Sequence, residues 1–267
     1  MGLREIFERE GKCFIPFVTA GHPDLATTEE LVLELEKAGA AIVEIGIPFS
    51  DPIADGPVIQ RSSFEALSHG HTVEDYLDLV RSIRRRSQVG LLFMSYLNPL
   101  LRFGLRRLDH EGSEAGLDGV LISDLTPEEY LRWSPEQQIV KLDRVFLAAP
   151  TSSDERLEAI CRAATGFVYL VARLGVTGQQ TELGENFVQM TARLRRLTDL
   201  PIAAGFGIDS AETVSRVLAE ADGAIVGSAI VDFISRHRSD ADLVQQVSHF
   251  VRKSLIPSDG SIRVKNT

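Results

Sequence analysis

The feature that most constrains this chain is a repeat of form rather than of sequence. Short apolar runs rich in Val, Ile, Leu and Phe alternate with amphipathic helical stretches along nearly its whole length. The runs begin near residues 14, 42, 90, 119, 144, 167, 201 and 223. Apolar strands that each lead into a helix pair in parallel, with both faces of the sheet covered. Eight such units are what closure into a (β/α)8 TIM barrel requires, and 267 residues suit one such domain. An open doubly wound sheet is the alternative arrangement of the same units. A short charged helix at 2–10 precedes the first strand, and the polar segment 257–267 is expected to be a mobile tail.

Two connections are longer than the rest. The one after strand two carries Asp51 and Asp55, and the one after strand six, 173–185, is rich in Gly, Thr and Gln like a closing lid. In a barrel both fall at the C-terminal face, where active sites are assembled.

Composition narrows the function classes. The net charge of −10 opposes binding to nucleic acid phosphates or anionic membranes. The run Arg84-Arg85-Arg86 ends a helical pattern and is read as a solvated helix end. Cys13 and Cys161 have no metal-ligand spacing, so neither a disulfide framework nor a metal site is expected. With no signal-peptide pattern and no apolar run of spanning length, the expected location is cytoplasmic.

Candidate chemistry begins in the second strand. Its alternation sends Val43, Ile45 and Ile47 toward the helices and Ile42, Glu44 and Gly46 toward the barrel interior. A carboxyl there resists ionisation and is suited to general acid/base work, or else is a structural acid paired with Arg or Tyr. Asp55 sits in a loop stiffened by Pro48, Pro52 and Pro57, as a positioned carboxylate or an ordinary turn residue. Gly205 and Gly207 follow strand seven, while Gly227 and Ser228 follow strand eight and open a helix. Both are places where backbone amides can hold phosphate, although glycines also simply end strands. Tyr169, on strand six, can point inward toward a carboxylate or into the core.

With these residues go the runs Pro16-Phe17-Val18-Thr19-Ala20-Gly21, Glu44 through Pro57, Asn98-Pro99, Gly119-Val120-Leu121-Ile122, Gly175-Val176-Thr177-Gly178, Gly205-Phe206-Gly207-Ile208 and Gly227-Ser228-Ala229-Ile230-Val231. Together they make the chain resemble the tryptophan synthase alpha subunit family over nearly its whole length. The resemblance implies cleavage of indole-3-glycerol phosphate to indole and glyceraldehyde 3-phosphate, with no cofactor in this subunit. It implies that Glu44 shuttles the proton at the indole ring carbon and that Asp55 meets the indole N–H. Tyr169 would hydrogen-bond the glutamate, Thr177 would close onto Asp55, and amides at Gly178, Gly207, Gly227 and Ser228 would hold the phosphate. It further implies a pyridoxal-phosphate beta subunit as partner in an alpha2beta2 complex, contacting the loops after strands two and four around Asp51, Pro52 and Asp124. The chain departs from the family pattern at Leu174 in the lid and at Ser123 and Thr126 after strand four. Those departures support an alternative reading, a poorly active subunit that mainly binds and activates its beta partner.

Overall fold

The computed structural model describes residues 2–133, 138–171, 182–205 and 207–264. Its strands are β1 Cys13–Thr19, β2 Ile42–Gly46, β3 Gly90–Ser95, β4 Gly119–Ile122, β5 Asp143–Ala148, β6 Val168–Val171, β7 Ile202–Gly205 and β8 Gly223–Val226. They pair in parallel in sequence order, and β8 returns to β1, so the sheet is a closed barrel rather than an open one. The helices in chain order are α1 Leu3–Glu10, α2 Leu25–Lys37, α3 Pro57–Leu67, α4 Val73–Arg84, α5 Leu97–Phe103 and α6 Leu105–Ala115. They continue as α7 Pro127–Tyr130, α8 Asp154–Ala163, α9 Glu182–Arg195, α10 Ala211–Glu220, α11 Ser228–His237 and α12 Leu243–Phe250, the last running into a π-helical turn at Val251–Leu255.

Strand alternation divides the apolar residues into two cores. Val43, Ile45, Leu91 and Phe93 pack outward against the helices, whereas Ile42, Leu92, Leu121, Val145 and Ile225 fill the barrel interior. The interior core also contains Leu3, Ile6 and Phe7 of α1, so this helix closes the N-terminal end of the barrel. Glycines opening β3 and β4 make room for it. A Cβ on Gly90 would stand 2.6 Å from Ile6, and one on Gly119 would stand 2.5 Å from Leu3. The Leu3 amide donates to the Asp143 carboxylate at 2.7 Å, which ties α1 to the start of β5.

Some boundaries differ from the pattern in the sequence. The sequence offers Thr27 or Thr28 as the cap of α2, but Asp24 takes that place, its carboxylate accepting from the Thr27 amide at 2.7 Å. The sequence suggests one helix beyond Asn98-Pro99, at roughly 101–115; the structure has two, of which α5 already includes Asn98 and Pro99, because Gly104, at φ 103°, breaks the path between α5 and α6. Within the terminal segment 257–267, Ile262 is buried in the outer core beside Gly39, and Asp259 accepts from Ser215 at 2.7 Å. No helix among the described residues is long and apolar enough to cross a membrane.

Candidate active site

A cavity of about 630 Å³ opens at the C-terminal face of the barrel, with Glu44 and Asp55 both on its wall. Glu44 lies at the middle of β2 with 1% of its surface exposed, and its Oε1 has no hydrogen-bond partner among the described residues. Removal from water is the main reason its pKa is pushed up to about 8, and the negative charge of Asp55 adds to the effect. At neutral pH this side chain therefore carries a proton that it can give away.

Asp55 is held by its backbone. Its amide donates to the Pro52 carbonyl at 3.0 Å, its own carbonyl accepts from the Gln60 side chain at 2.8 Å, and Pro57 then starts α3 at the first helical position. Burial raises the Asp55 pKa to about 6, and a hydrogen bond from Tyr96 opposes that rise. The Tyr96 hydroxyl also accepts from the Ala54 amide at 2.9 Å, and its ring stacks on Phe49 at 5.1 Å. Tyr96 thus pins both ends of the acid-bearing loop. Pattern reading had passed over it, although it stands at the C-terminal end of β3, where barrel side chains face the site.

The two acids differ in what they can do. The shallower Asp55 ionises first, and its charge helps keep the deeper Glu44 protonated, so one cavity holds an acid and an anion over the same pH range. Tyr169 is half-buried and lines the same cavity. Its pKa is driven well above the ordinary tyrosine value by burial first, then by the charges of Glu44 and Asp55. The link between Tyr169 and Glu44 is one of charge rather than a direct hydrogen bond.

Gly207, Gly227 and Ser228 line the same cavity. Gly227 precedes the first turn of the ten-residue α11, where the leading amides have no carbonyl to donate to within the helix, and Gly207 turns through φ 74°. Gly205 has a different place. It sits beneath Tyr169, and a Cβ there would come within 2.5 Å of the tyrosine hydroxyl. Gly46 likewise leaves space for the Phe17 ring, which a Cβ would meet at 2.3 Å.

Away from the cavity, Asp51 is exposed and accepts from the Ser50 hydroxyl at 2.6 Å, beside a partly exposed Pro52. Asp124 accepts from the Leu97 amide at 2.7 Å, so the loop after β4 holds the start of α5. Thr177, Gly178 and Leu174 lie outside the described residues, as does most of the expected lid. Among the described residues no cluster of His, Cys, Asp or Glu is arranged to hold a metal ion.

A family model of the tryptophan synthase alpha chain matches residues 3–255. This chain belongs to that family. It is 42% identical over 244 residues to the tryptophan synthase alpha chain of Citrifermentans bemidjiense, covering 91% of each chain. Its fold matches the crystal structure of the tryptophan synthase alpha subunit of Legionella pneumophila with a TM-score of 0.85 and 34% identity, over 94% of this chain and 96% of that one. A chain from the Pyrococcus furiosus tryptophan synthase a2b2 complex, described in terms of mutual activation, matches with a TM-score of 0.81 and 36% identity, over 91% and 97% of the two chains.

Proposed function

We propose that the chain is a tryptophan synthase alpha subunit that cleaves indole-3-glycerol phosphate by a retro-aldol reaction. The observation that carries this reading is that two carboxyls withdrawn from water, Glu44 and Asp55, share one cavity with the N-terminal end of α11.

The phosphate of the substrate is held by amides at Gly207, Gly227 and Ser228. Glu44 delivers its proton to the ring carbon that bears the glycerol chain. The indole nitrogen becomes iminium-like in that step, and the Asp55 carboxylate stabilises the positive charge at its N–H. Glu44, now ionised, assists removal of the proton from the glycerol hydroxyl next to the breaking bond. That oxygen becomes the aldehyde of glyceraldehyde 3-phosphate, the bond electrons return to the ring, and neutral indole leaves. Glu44 ends protonated, ready for another cycle. Tyr169 keeps its own proton throughout and lines the cavity beside the acids.

None of these steps calls on a cofactor held by this chain. The chain acts as a single cytoplasmic domain and passes indole to a beta subunit that carries pyridoxal phosphate. The Pyrococcus furiosus complex supports that partnership. Exposed Asp51 and Asp124 and partly exposed Pro52, on the loops after β2 and β4, are the contact residues on this side.

Glu44→Gln tests the assignment. Steady-state indole release should fall by at least about 100-fold, the usual scale for loss of a general acid/base, with the circular dichroism spectrum unchanged. Retention of normal turnover by the variant overturns the mechanism.

A further inference from the structure

The wall of the active-site cavity is unevenly charged. Four carboxyl side chains line it, those of Glu44, Asp55, Asp209 and Asp232, and among the described residues Arg236 is the single cation there. Asp209 follows Gly207 by two residues and Asp232 follows Ser228 by four, so two of the four acids are close along the chain to the amides assigned to phosphate. A phosphate monoester carries a charge of about −1.5 to −2 at neutral pH. Carboxylates at the cavity work against its entry, and so does the net charge of −10 on the whole chain. The amides that open α11 answer this with partial charges only.

Arg236 is placed to shift that balance. Ser228, Asp232 and Arg236 recur every four residues on one face of α11, and all three line the cavity. Side chains on a helix lean back toward its N-terminus, and an Arg236 guanidinium nitrogen meets an Asp232 carboxylate oxygen at 2.5 Å. The guanidinium therefore sits near the level of Asp232, one turn or about 6 Å along the axis from Ser228. The arginine side chain is 73% exposed and the aspartate side chain 30% exposed. An ion pair so open to water is weakly held. A doubly charged phosphate, which guanidinium binds through two parallel hydrogen bonds, competes well with a single carboxylate for it.

We propose that Arg236 recruits the phosphate monoester: its guanidinium draws the ester to the cavity and turns from Asp232 toward it as the phosphate settles on the first turn of α11. Asp232 holds the arm before the ester arrives, and weakens binding by doing so. The inference rests on the lyase reading above and deepens it, adding a side-chain charge to a phosphate site otherwise made of amides.

The two members of the pair should give opposite results. Arg236→Gln should lower kcat/KM for indole-3-glycerol phosphate by about 3- to 10-fold at low salt, the scale of one charge acting on a dianion through partly aqueous surroundings. The loss should lie in KM with kcat unchanged, and Arg236→Lys should recover most of it. Asp232→Asn should raise kcat/KM by about 2- to 5-fold, because it removes a like charge and frees the guanidinium. At about 0.5 M salt all of these proteins should agree to within about 2-fold. Calorimetric binding of glycerol 3-phosphate, which needs no turnover, should follow the same order. A loss of kcat/KM in both Arg236→Gln and Asp232→Asn would make the pair a structural tie and overturn the proposal, as would equal values for all the proteins at low salt; either result leaves the lyase reading standing. An unaltered chain that binds glycerol 3-phosphate in this charge-dependent way and releases no indole overturns the lyase reading alone.

Discussion

Replacing Glu44 by Gln should change the pH dependence of stability as well as activity. The native carboxyl has a pKa of about 8 against an ordinary value of 4.5, so between those values the folded chain holds a proton that the unfolded chain has released. Stability must then fall as pH rises through that window, because deprotonation favours the unfolded state. Linkage over the interval from pH 5 to pH 7 gives a loss of about 2 to 3 kcal/mol from this group alone. Asp55 contributes in the same direction, since its pKa is also raised, but it is present in both proteins and drops out of the comparison to first order. The assay is urea denaturation of the native chain and Glu44→Gln at half-unit steps from pH 5 to pH 8, in buffers free of phosphate so that no anion binds the folded state selectively. The variant should gain about 2 to 3 kcal/mol relative to the native chain between pH 5 and pH 7, whatever its offset at pH 5. Parallel stability curves would refute the reasoning, for they would mean that Glu44 ionises in the fold much as it does in water.

The pH dependence of kcat/KM should be a bell with limbs at about 6 and about 8. Activity rises as Asp55 becomes an anion and falls as Glu44 loses its proton; Tyr96→Phe, which removes a hydrogen bond to the Asp55 carboxylate, should move the acid limb upward. Gly205→Ala should lower the melting temperature and raise KM together, because its Cβ would meet the Tyr169 hydroxyl at 2.5 Å and Ile225 at 3.0 Å. Overpacking of this kind costs about 1–3 kcal/mol, and a variant with native stability and KM would show that Tyr169 moves aside freely.

Glu44 could be found from its own strand because the two-residue period fixes the side on which each residue lies, and a single charged residue on the inward side stands out. The barrel itself follows from the count and order of the strands. Tyr96 was harder, since its contact is with Ala54 and Asp55 on a loop more than one β/α unit away, and no local period connects them. Gly205 shows a related limit. Its sequence setting suggests an amide for phosphate, yet its small size leaves room for a tyrosine on the adjacent strand, a demand that only the pairing of β6 with β7 reveals. The Asp24 cap and the break at Gly104 are local events, legible from composition but competing there with equally good neighbours such as Thr27 and Thr28.

The α1 plug has a consequence for traffic. With Leu3, Ile6 and Phe7 filling the N-terminal end of the barrel, the cavity that holds Glu44 and Asp55 opens at the other end. On the proposed reading, a protein that receives indole at this end of the barrel also governs when the next substrate can enter. The first helix of the chain then makes delivery of product and admission of substrate events of the same face.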